Sequence, residues 1–267
     1  MRIRLGYDIE ITCEQPVPLV VFLDPHPEWQ GNILESTGLA LTPAVPVRPF
    51  VDLFGNRGMR LMAPAGRLGL YCDSLLDIDP HPDPWEPRSA EPSVDDMPDA
   101  VLAYLLPSRY CDVDLMLDLA WEHFGSVPAG WERVRAIFDH VAGHLSFGYP
   151  HARATRTASQ AWAEGKGVCR DFAHLAITLC RCLNIPARYV NGYLGDIGVP
   201  PDPAPMDFNA WCEVWLGGAW VTFDARHNMP RIGRVPVARG RDAADVALLH
   251  SFGPHRLTRF TVWTDEV

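Results

Sequence analysis

The chain has 267 residues, of which 48% are hydrophobic and 21% charged, a composition typical of a globular protein with one large domain or two unequal ones. Its formal net charge of −10 repels phosphate backbones and anionic headgroups, which argues against nucleic acid and membrane surfaces as partners. No apolar run approaches the ~18 residues that a membrane-spanning helix needs.

The cysteines and the first residues indicate the compartment. Seven cysteines, an odd number without a CxxC pair, argue against a disulfide framework and against a zinc knuckle. The segment MRIRLGYDIEIT alternates apolar and polar residues, which indicates a strand rather than a secretory signal. We therefore expect a cytoplasmic protein without a cofactor.

Secondary-structure signals divide the chain into two regions. Residues 1–84 contain short β-type runs separated by turn residues, which predicts a β-sandwich-like domain. Residues 85–98 are rich in proline and predict a linker. Residues 99–267 begin with helical periodicity and later show strand patterns, so they predict an α+β core.

One predicted helix carries the most reactive side chain of the sequence. It begins near Cys169, after two glycines, and its apolar residues recur at helical spacing over 168–183, which predicts one buried face. A helix N-terminus favours a thiolate, so Cys169 is predicted to be the most thiolate-like cysteine. Gly165 and Gly167 would let a substrate approach the backbone closely.

A hairpin is predicted where two β-type runs flank Gly217-Gly218. The two-residue turn pairs residues whose numbers sum to 435, so Asn209 and Asp224 lie on one face as diagonal neighbours. Strict alternation places His227 on the opposite face, unless the strand ends after Asp224.

Three segments resemble the signature blocks of bacterial transglutaminase-like proteins, a papain-related superfamily. They are GVCRDFA at 167–173, RYVNGY at 188–193, and the hairpin containing NAWCEV at 209–214 and WVTFDA at 220–225. The resemblance covers roughly residues 100–230 and implies a papain-like fold, with the cysteine helix packed on an antiparallel sheet. It also implies a Cys–His–Asp triad, in which Cys169 is the nucleophile and Asp224 orients the base.

The sequence departs from the family pattern at the base, because Asn209 occupies the position of the catalytic histidine. An amide cannot accept the thiol proton, and a general base is typically worth ~10²–10⁴ in rate. His227 is the alternative base. Tyr189, Tyr193 and Trp211 are candidates to bind substrate.

No metal site is expected. His140 and His144 have metal-ligand spacing, but no HExxH glutamate or cysteine accompanies them, and we interpret them as solvent-facing.

Two functions follow from these observations. The first is thiol-dependent acyl transfer or hydrolysis of an amide or isopeptide bond in a peptide or protein. The alternative is a non-catalytic module that binds a peptide or protein.

Overall fold

The computed structural model describes residues 1–85, 87 and 93–267, so part of the predicted linker, at 86 and 88–92, lies outside the described residues. The predicted α+β class is confirmed, with antiparallel sheets in both halves of the chain. The strands are β1 (Arg2–Cys13), β2 (Val17–Val21), β3 (Ile33–Ser36), β4 (Ala40–Thr42), β5 (Val47–Val51), β6 (Arg57–Ala63), β7 (Gly66–Asp77), β8 (Ser146–Phe147), β9 (Lys166–Gly167), β10 (Ala187–Tyr193), β11 (Asn209–Leu216), β12 (Ala219–Phe223), β13 (Val235–Gly240), β14 (Leu249–Ser251) and β15 (Arg256–Glu266).

The α-helices are α1 (Asp99–Leu102), α2 (Leu117–Phe124), α3 (Trp131–His144), α4 (Ala158–Glu164) and α5 (Cys169–Cys182). Short 3-10 helices cover Pro27–Asn32, Val94–Asp96, Ala103–Leu105, Val113–Leu115 and Tyr149–His151. Within the part of the chain that the structure describes, no helix combines the length and apolar character needed to cross a membrane.

The amino-terminal region consists of two antiparallel sheets. One has the strand order β15-β1-β7-β3, with β4 also paired to β7, and the other has the order β14-β2-β6-β5. In β1 the odd-numbered residues from Ile3 to Ile11 are buried, as expected for a strand with one face in a core. The buried side chains of both sheets belong to one apolar cluster that continues into the second half of the chain.

The two carboxyl-terminal strands pair with the amino-terminal sheets. Strand β15 runs antiparallel to β1, with Ile3 opposite Glu266, and β14 pairs with β2. Residues 249–266 therefore connect the second half of the chain to the first by backbone hydrogen bonds. The predicted boundaries at residues 84 and 99 stay a prediction.

Helix α5 lies at the centre of the second half. It packs on β10 and β11 of a four-stranded sheet, order β12-β11-β10-β13, while α2, α3 and α4 cover its other sides. Every residue from Asp171 to Cys182 is buried, so the prediction of a single buried face is wrong. The helix tolerates this because its polar side chains have partners. Arg181, for example, donates to the carbonyl oxygens of Leu106, Ala187 and Arg241.

Gly195, two residues after the end of β10, fits against strand β15. A Cβ atom at Gly195 would overlap the carbonyl oxygen of Thr264, whereas a Cβ at Gly31 would meet no atom within 4 Å. We therefore expect Gly195→Ala to lower the free energy of unfolding by ~1–3 kcal/mol, because the backbone has to shift. Gly31→Ala is the matched control and should change it by less than ~0.5 kcal/mol. Urea unfolding measures both, and equal stabilities of the two variants would contradict the close contact.

Candidate active site

Gly167, two residues before Cys169, leaves room for the side chain that caps helix α5. Asp171 lies in the first turn of α5, and its Oδ2 accepts a hydrogen bond from the backbone N–H of Val168, the residue just before the helix, at 2.9 Å. A Cβ at Gly167 would lie 2.6 Å from Cβ of Asp171. Arg156 Nη1 donates to the same carboxylate at 2.8 Å and neutralises it. Gly167 is thus explained by packing within the protein rather than by the predicted approach of a substrate.

The Cys169 side chain lines a cavity of about 290 Å³. Tyr189, Asp207 and Asn209 line the same cavity. The backbone N–H of Ala210 hydrogen-bonds the sulfur. In the part of the chain that the structure describes, no hydrogen bond joins Cys169 to a histidine.

Burial keeps the Cys169 thiol protonated at neutral pH, against the predicted preference of the helix N-terminus for a thiolate. Burial raises the pKa of Cys169 to about 11, and the carboxylate of Asp207 adds to the increase, while Arg226 and the Ala210 amide act against it. A helix N-terminus stabilises an anion by only ~0.3–1 kcal/mol, which is less than the 1.36 kcal/mol of one pKa unit. Desolvation therefore outweighs the helix end.

Asn209 is held by polar partners at the edge of the sheet. Its Nδ2 donates to the carbonyl oxygens of Leu194 and Asp207 at 3.3 and 3.2 Å. Its Oδ1 accepts a hydrogen bond from Arg226 Nη1 at 3.2 Å. Asn209 shares the cavity with Cys169, but none of these partners makes it a proton acceptor for the thiol.

The predicted hairpin register is confirmed in the ladder, where Glu213 pairs with Thr222 and Cys212 with Phe223. Strand β12 ends at Phe223, however, and a turn follows. This turn brings His227 Nδ1 to 2.8 Å from Asp224 Oδ2. His227 is therefore not on the opposite face: the strand ends, which is the exception that the sequence analysis allowed, and alternation stops there.

Asp224 is buried and ionised. Burial alone would raise its pKa, but Arg234 and His227 outweigh burial and hold the pKa of Asp224 far below its usual range. An ionised carboxylate only accepts hydrogen bonds, so Nδ1 of His227 carries the hydrogen. In the neutral imidazole, Nε2 is then the nitrogen that accepts a proton.

Arg234 connects Asp224 to the segment that leaves the amino-terminal region. Its Nη2 donates to Asp224 Oδ2 at 2.9 Å and its Nε donates to Asp83 Oδ2 at 2.7 Å. Its guanidinium carbon lies 5.0 Å from the ring centroid of Trp211. Asp83 Oδ2 also accepts the backbone N–H of Arg231 at 3.0 Å. These contacts hold Asp224 through Oδ2, the same oxygen that bonds His227 Nδ1.

A second, smaller cavity of about 70 Å³ lies next to the first and is lined by His227, Arg226 and Tyr149 among others. Asp207 and Asn209 line both cavities. Cys169 and His227 therefore line neighbouring cavities that share two polar side chains.

The predicted substrate-binding residues have different environments. Tyr189 lines the Cys169 cavity. Trp211 and Tyr193 are fully buried and line neither cavity, so the structure corrects their assignment. Trp211 packs beneath Arg234, and the Tyr193 hydroxyl donates to the carbonyl oxygen of Leu23 at 2.8 Å. Both are structural side chains.

The sequence predicts that His140 and His144 face solvent, but both rings pack against Trp162. Their rings stack on Trp162, with centroids 5.0 and 4.4 Å from the indole, and His144 Nε2 bonds the carbonyl oxygen of Trp162. Among residues 1–85, 87 and 93–267, no group of three or more His, Cys, Asp or Glu side chains is arranged to hold a metal ion.

The sequence analysis missed Asp207 and the segment 243–248, which both line the Cys169 cavity. Asp207 stands two residues before Asn209, and this spacing puts the two on one side of an extended chain. This spacing could have identified Asp207 as a neighbour of Asn209 at the site. No local signal in the sequence connects 243–248 with Cys169.

Comparisons with a family model and with a solved structure agree with the resemblance seen in the sequence. The family model of the transglutaminase-like superfamily matches residues 121–225. The crystal structure of a "putative cysteine protease" from Cytophaga hutchinsonii is 31% identical, covers 99% of this chain and 90% of that chain, and has a TM-score of 0.87.

Two mycobacterial proteins, both uncharacterized, are also similar. One from Mycobacterium leprae is 38% identical over 87 residues, which is 32% of this chain and only 31% of that protein. One from Mycobacterium tuberculosis is 26% identical over 232 residues, covering 73% of this chain and 68% of that protein.

Arg234→Met is expected to destabilise the protein by ~3–5 kcal/mol at pH 7, because it leaves the buried carboxylate of Asp224 without its cation. The folded state lowers the pKa of Asp224, so this stabilisation is present above its unfolded pKa of ~3.9 and is lost as the pH falls through the folded value. The difference from wild type should therefore shrink between pH 7 and pH 3, and the loss should come below pH ~3.9. Urea unfolding at both pH values measures it, with Arg259→Met, in an exposed pair with Asp8, as control. A difference independent of pH would contradict the role of the Asp224 charge.

Alkylation of Cys169 by iodoacetamide should have a pH midpoint near 11, because burial keeps the thiol protonated. At pH 7 roughly 100-fold less thiolate is expected than for a cysteine with a pKa about two units lower. Mass spectrometry of the labelled peptide gives the rate at each pH. Arg226→Gln should move the midpoint upward and Arg259→Gln should not. A rate that is already constant between pH 7 and pH 9 would refute this prediction.

Proposed function

Because the chain belongs to the transglutaminase-like superfamily, we propose that it performs thiol-dependent acyl transfer or hydrolysis on an amide bond of a peptide or protein. Cys169 is the nucleophile, Asp224 orients the base, and His227 supplies the basic nitrogen that position 209 lacks.

The observation that carries this proposal is the hydrogen bond of 2.8 Å between His227 Nδ1 and Asp224 Oδ2. A carboxylate that holds Nδ1 of a histidine fixes its tautomer and leaves Nε2 free to exchange protons with a nucleophile and a leaving group. His227 is partly exposed at the second cavity, so Nε2 has room for a substrate. This hydrogen bond supports the assignment of His227 as the base and Asp224 as the residue that orients it.

The protonated thiol determines how the reaction starts. Because the pKa of Cys169 is raised to about 11, the proton has to leave during the attack rather than before it. His227 Nε2 takes this proton as sulfur bonds to the carbonyl carbon. The same proton then goes to the departing nitrogen as the C–N bond breaks, which leaves a thioester on Cys169. Water or an amine attacks the thioester, gives a proton to His227, and His227 returns it to the sulfur.

The two cavities suit this sequence of steps. Asp207 and Asn209 line both cavities, so the thiol and the imidazole border the same two side chains, and proton transfer requires His227 Nε2 to come within hydrogen-bond reach of the sulfur when substrate binds. The Ala210 N–H that bonds the sulfur stabilises the negative charge that develops there. Catalytic hydrogen bonds commonly shorten only when substrate binds.

A peptide-binding module without turnover is the second candidate. The specific observation in its favour is that the Asn209 side chain is already hydrogen-bonded to Leu194, Asp207 and Arg226. A thiol with a raised pKa beside an amide is a poor nucleophile. Such a site would hold a peptide through the cavity walls alone.

His227→Gln is expected to lower the turnover of p-nitrophenyl esters and peptide anilides by ~10²–10⁴, because the proton acceptor is lost. The blank is Cys169→Ala. The matched control is His81→Gln, which removes a histidine from a His–Asp pair that is exposed. Asn209→His should not raise turnover above wild type, because His227 already supplies the base and the substitution removes the hydrogen bond that Arg226 donates to Asn209. Release of nitrophenol or nitroaniline is followed with and without hydroxylamine, which distinguishes transfer from hydrolysis.

Three results decide between the candidates. If His227→Gln is as active as wild type, His227 is not the base. If wild type is active and Asn209→His is slower, the base stands elsewhere than at position 209 and His227 is favoured. If neither wild type nor Asn209→His exceeds Cys169→Ala while peptides still bind, the binding module is the function.

A further inference from the structure

The cavity beside Cys169 has a largely apolar wall. Its aromatic lining comes from Tyr110, Tyr189 and Phe208, and small or branched side chains of the segment 243–248 close the opposite side. Charged side chains among its lining residues are those of Arg170 and Asp207. A concave apolar surface with few polar groups next to a reactive atom is typical of a specificity pocket.

The segment 243–248 is held in place by side chains of the core. The backbone N–H of Ala243 donates to Nε2 of His174 at 3.1 Å. Asn191 Nδ2 donates to the carbonyl oxygen of Val246 at 2.5 Å. Two buried polar side chains thus position this wall, and the cavity exists before any ligand binds.

The aromatic side of the cavity is equally fixed. The ring of His174 stacks on Tyr110 with centroids 5.0 Å apart and planes 10° apart, and it lies 5.1 Å from the ring of Tyr189. Burial lowers the pKa of His174 well below its usual range, so the imidazole is neutral and its Nε2 accepts from Ala243. The Tyr110 backbone N–H donates to Asp242 at 2.7 Å, next to the same wall. One buried histidine therefore joins both sides of the cavity.

The charged residues at the cavity do not suit a charged side chain. Arg170 already donates to the carbonyl oxygen of Arg153 at 2.5 Å and lies over the ring of Tyr110. Asp207 has Arg226 close enough to lower its pKa, although burial raises that pKa above its usual value. An uncharged side chain avoids displacing these contacts.

We propose that this cavity binds an aromatic or branched aliphatic side chain of the substrate, on the residue that supplies the attacked carbonyl. The inference rests on the proposed function, since it takes Cys169 as the reacting atom. A volume of about 290 Å³ corresponds to roughly ten water molecules, at ~30 Å³ each, which is enough for one large side chain. Binding would remove that side chain and the cavity wall from water together.

The test measures binding rather than turnover, so it uses the full chain with Cys169→Ala. The probes are blocked peptides acetyl-Ala-Ala-Xaa-Ala-amide with Phe, Leu, Ala, Lys or Glu at Xaa, measured by calorimetry. Phe and Leu should bind roughly 10- to 100-fold more tightly than Ala, Lys or Glu. Equal binding of Phe, Leu and Ala would overturn the proposal. Tightest binding of Lys would overturn it as well and would assign the cavity to a cation held by Asp207.

A substitution that fills the cavity provides the control on location. Ala247 lines it, whereas Ala244 is in the same segment, is similarly half-buried and does not line it. Ala247→Phe should abolish the preference for Phe and Leu, and Ala244→Phe should preserve it. Leu248→Ala, which enlarges the cavity, should bind an added peptide with Trp at Xaa more tightly than wild-type Leu248 does. This variant keeps the test decisive if Ala247→Phe does not fold. Equal effects of the two phenylalanine variants would refute this location.

The proposed activity and the proposed pocket fail in different ways. If Phe peptides bind selectively but wild type has no turnover, the pocket stands and the catalytic proposal fails. If wild type cleaves esters but the five peptides bind equally to Cys169→Ala, the chemistry stands and the pocket is refuted.

Discussion

The buried guanidinium of Arg234 is the interaction on which the arrangement of this site depends. It lies between two carboxylates from distant parts of the chain, Asp83 and Asp224. Each of these charges would be costly to bury alone, and removing one partner of such a group is generally far more damaging than the net strength of the pair suggests. The ion pair thus fixes three segments at once: the exit from β7, the turn after β12 and the start of β13.

The same constraint accounts for the shape of the turn that follows Asp224. Arg234 occupies Oδ2 from one side, and the backbone N–H groups of Arg226 and His227 bond Oδ1 at 2.9 and 3.2 Å. With its oxygens used in this way, the carboxylate acts as the centre around which residues 224–227 wrap. The position of the His227 ring is a consequence of that wrapping and not of the strand geometry.

Local patterns in the sequence were sufficient for part of this architecture. The Gly217-Gly218 turn predicted the hairpin and its register because two adjacent glycines determine which residues pair. The start of α5 at Cys169 was also predicted from short-range signals. In contrast, the full burial of α5 depends on helices and strands that surround it, and alternation could not reveal where β12 ends.

Other features depended on contacts between distant residues. The link between Arg234 and Asp83 joins positions 151 apart, and the wall at 243–248 depends on His174, 69 positions from Ala243. The raised pKa of Cys169 arises from burial and from Asp207, which no helix-end argument contains. Sequence periodicity describes each helix or strand by itself, so it cannot predict contacts between distant residues or the pKa values that depend on them.

The pairing of β15 with β1 has a consequence for the order in which the chain folds during synthesis. The Thr258 hydroxyl donates to Glu10 across 248 positions, so β1 leaves the ribosome long before its partner. At ~5–20 residues per second, that interval lasts roughly 10–50 s. During this time the edge of β1 that β15 will cover is an unpaired strand edge with alternating apolar residues, the type of surface on which chains associate. The nascent amino-terminal half therefore exposes a surface suited to self-association until β15 has been synthesised.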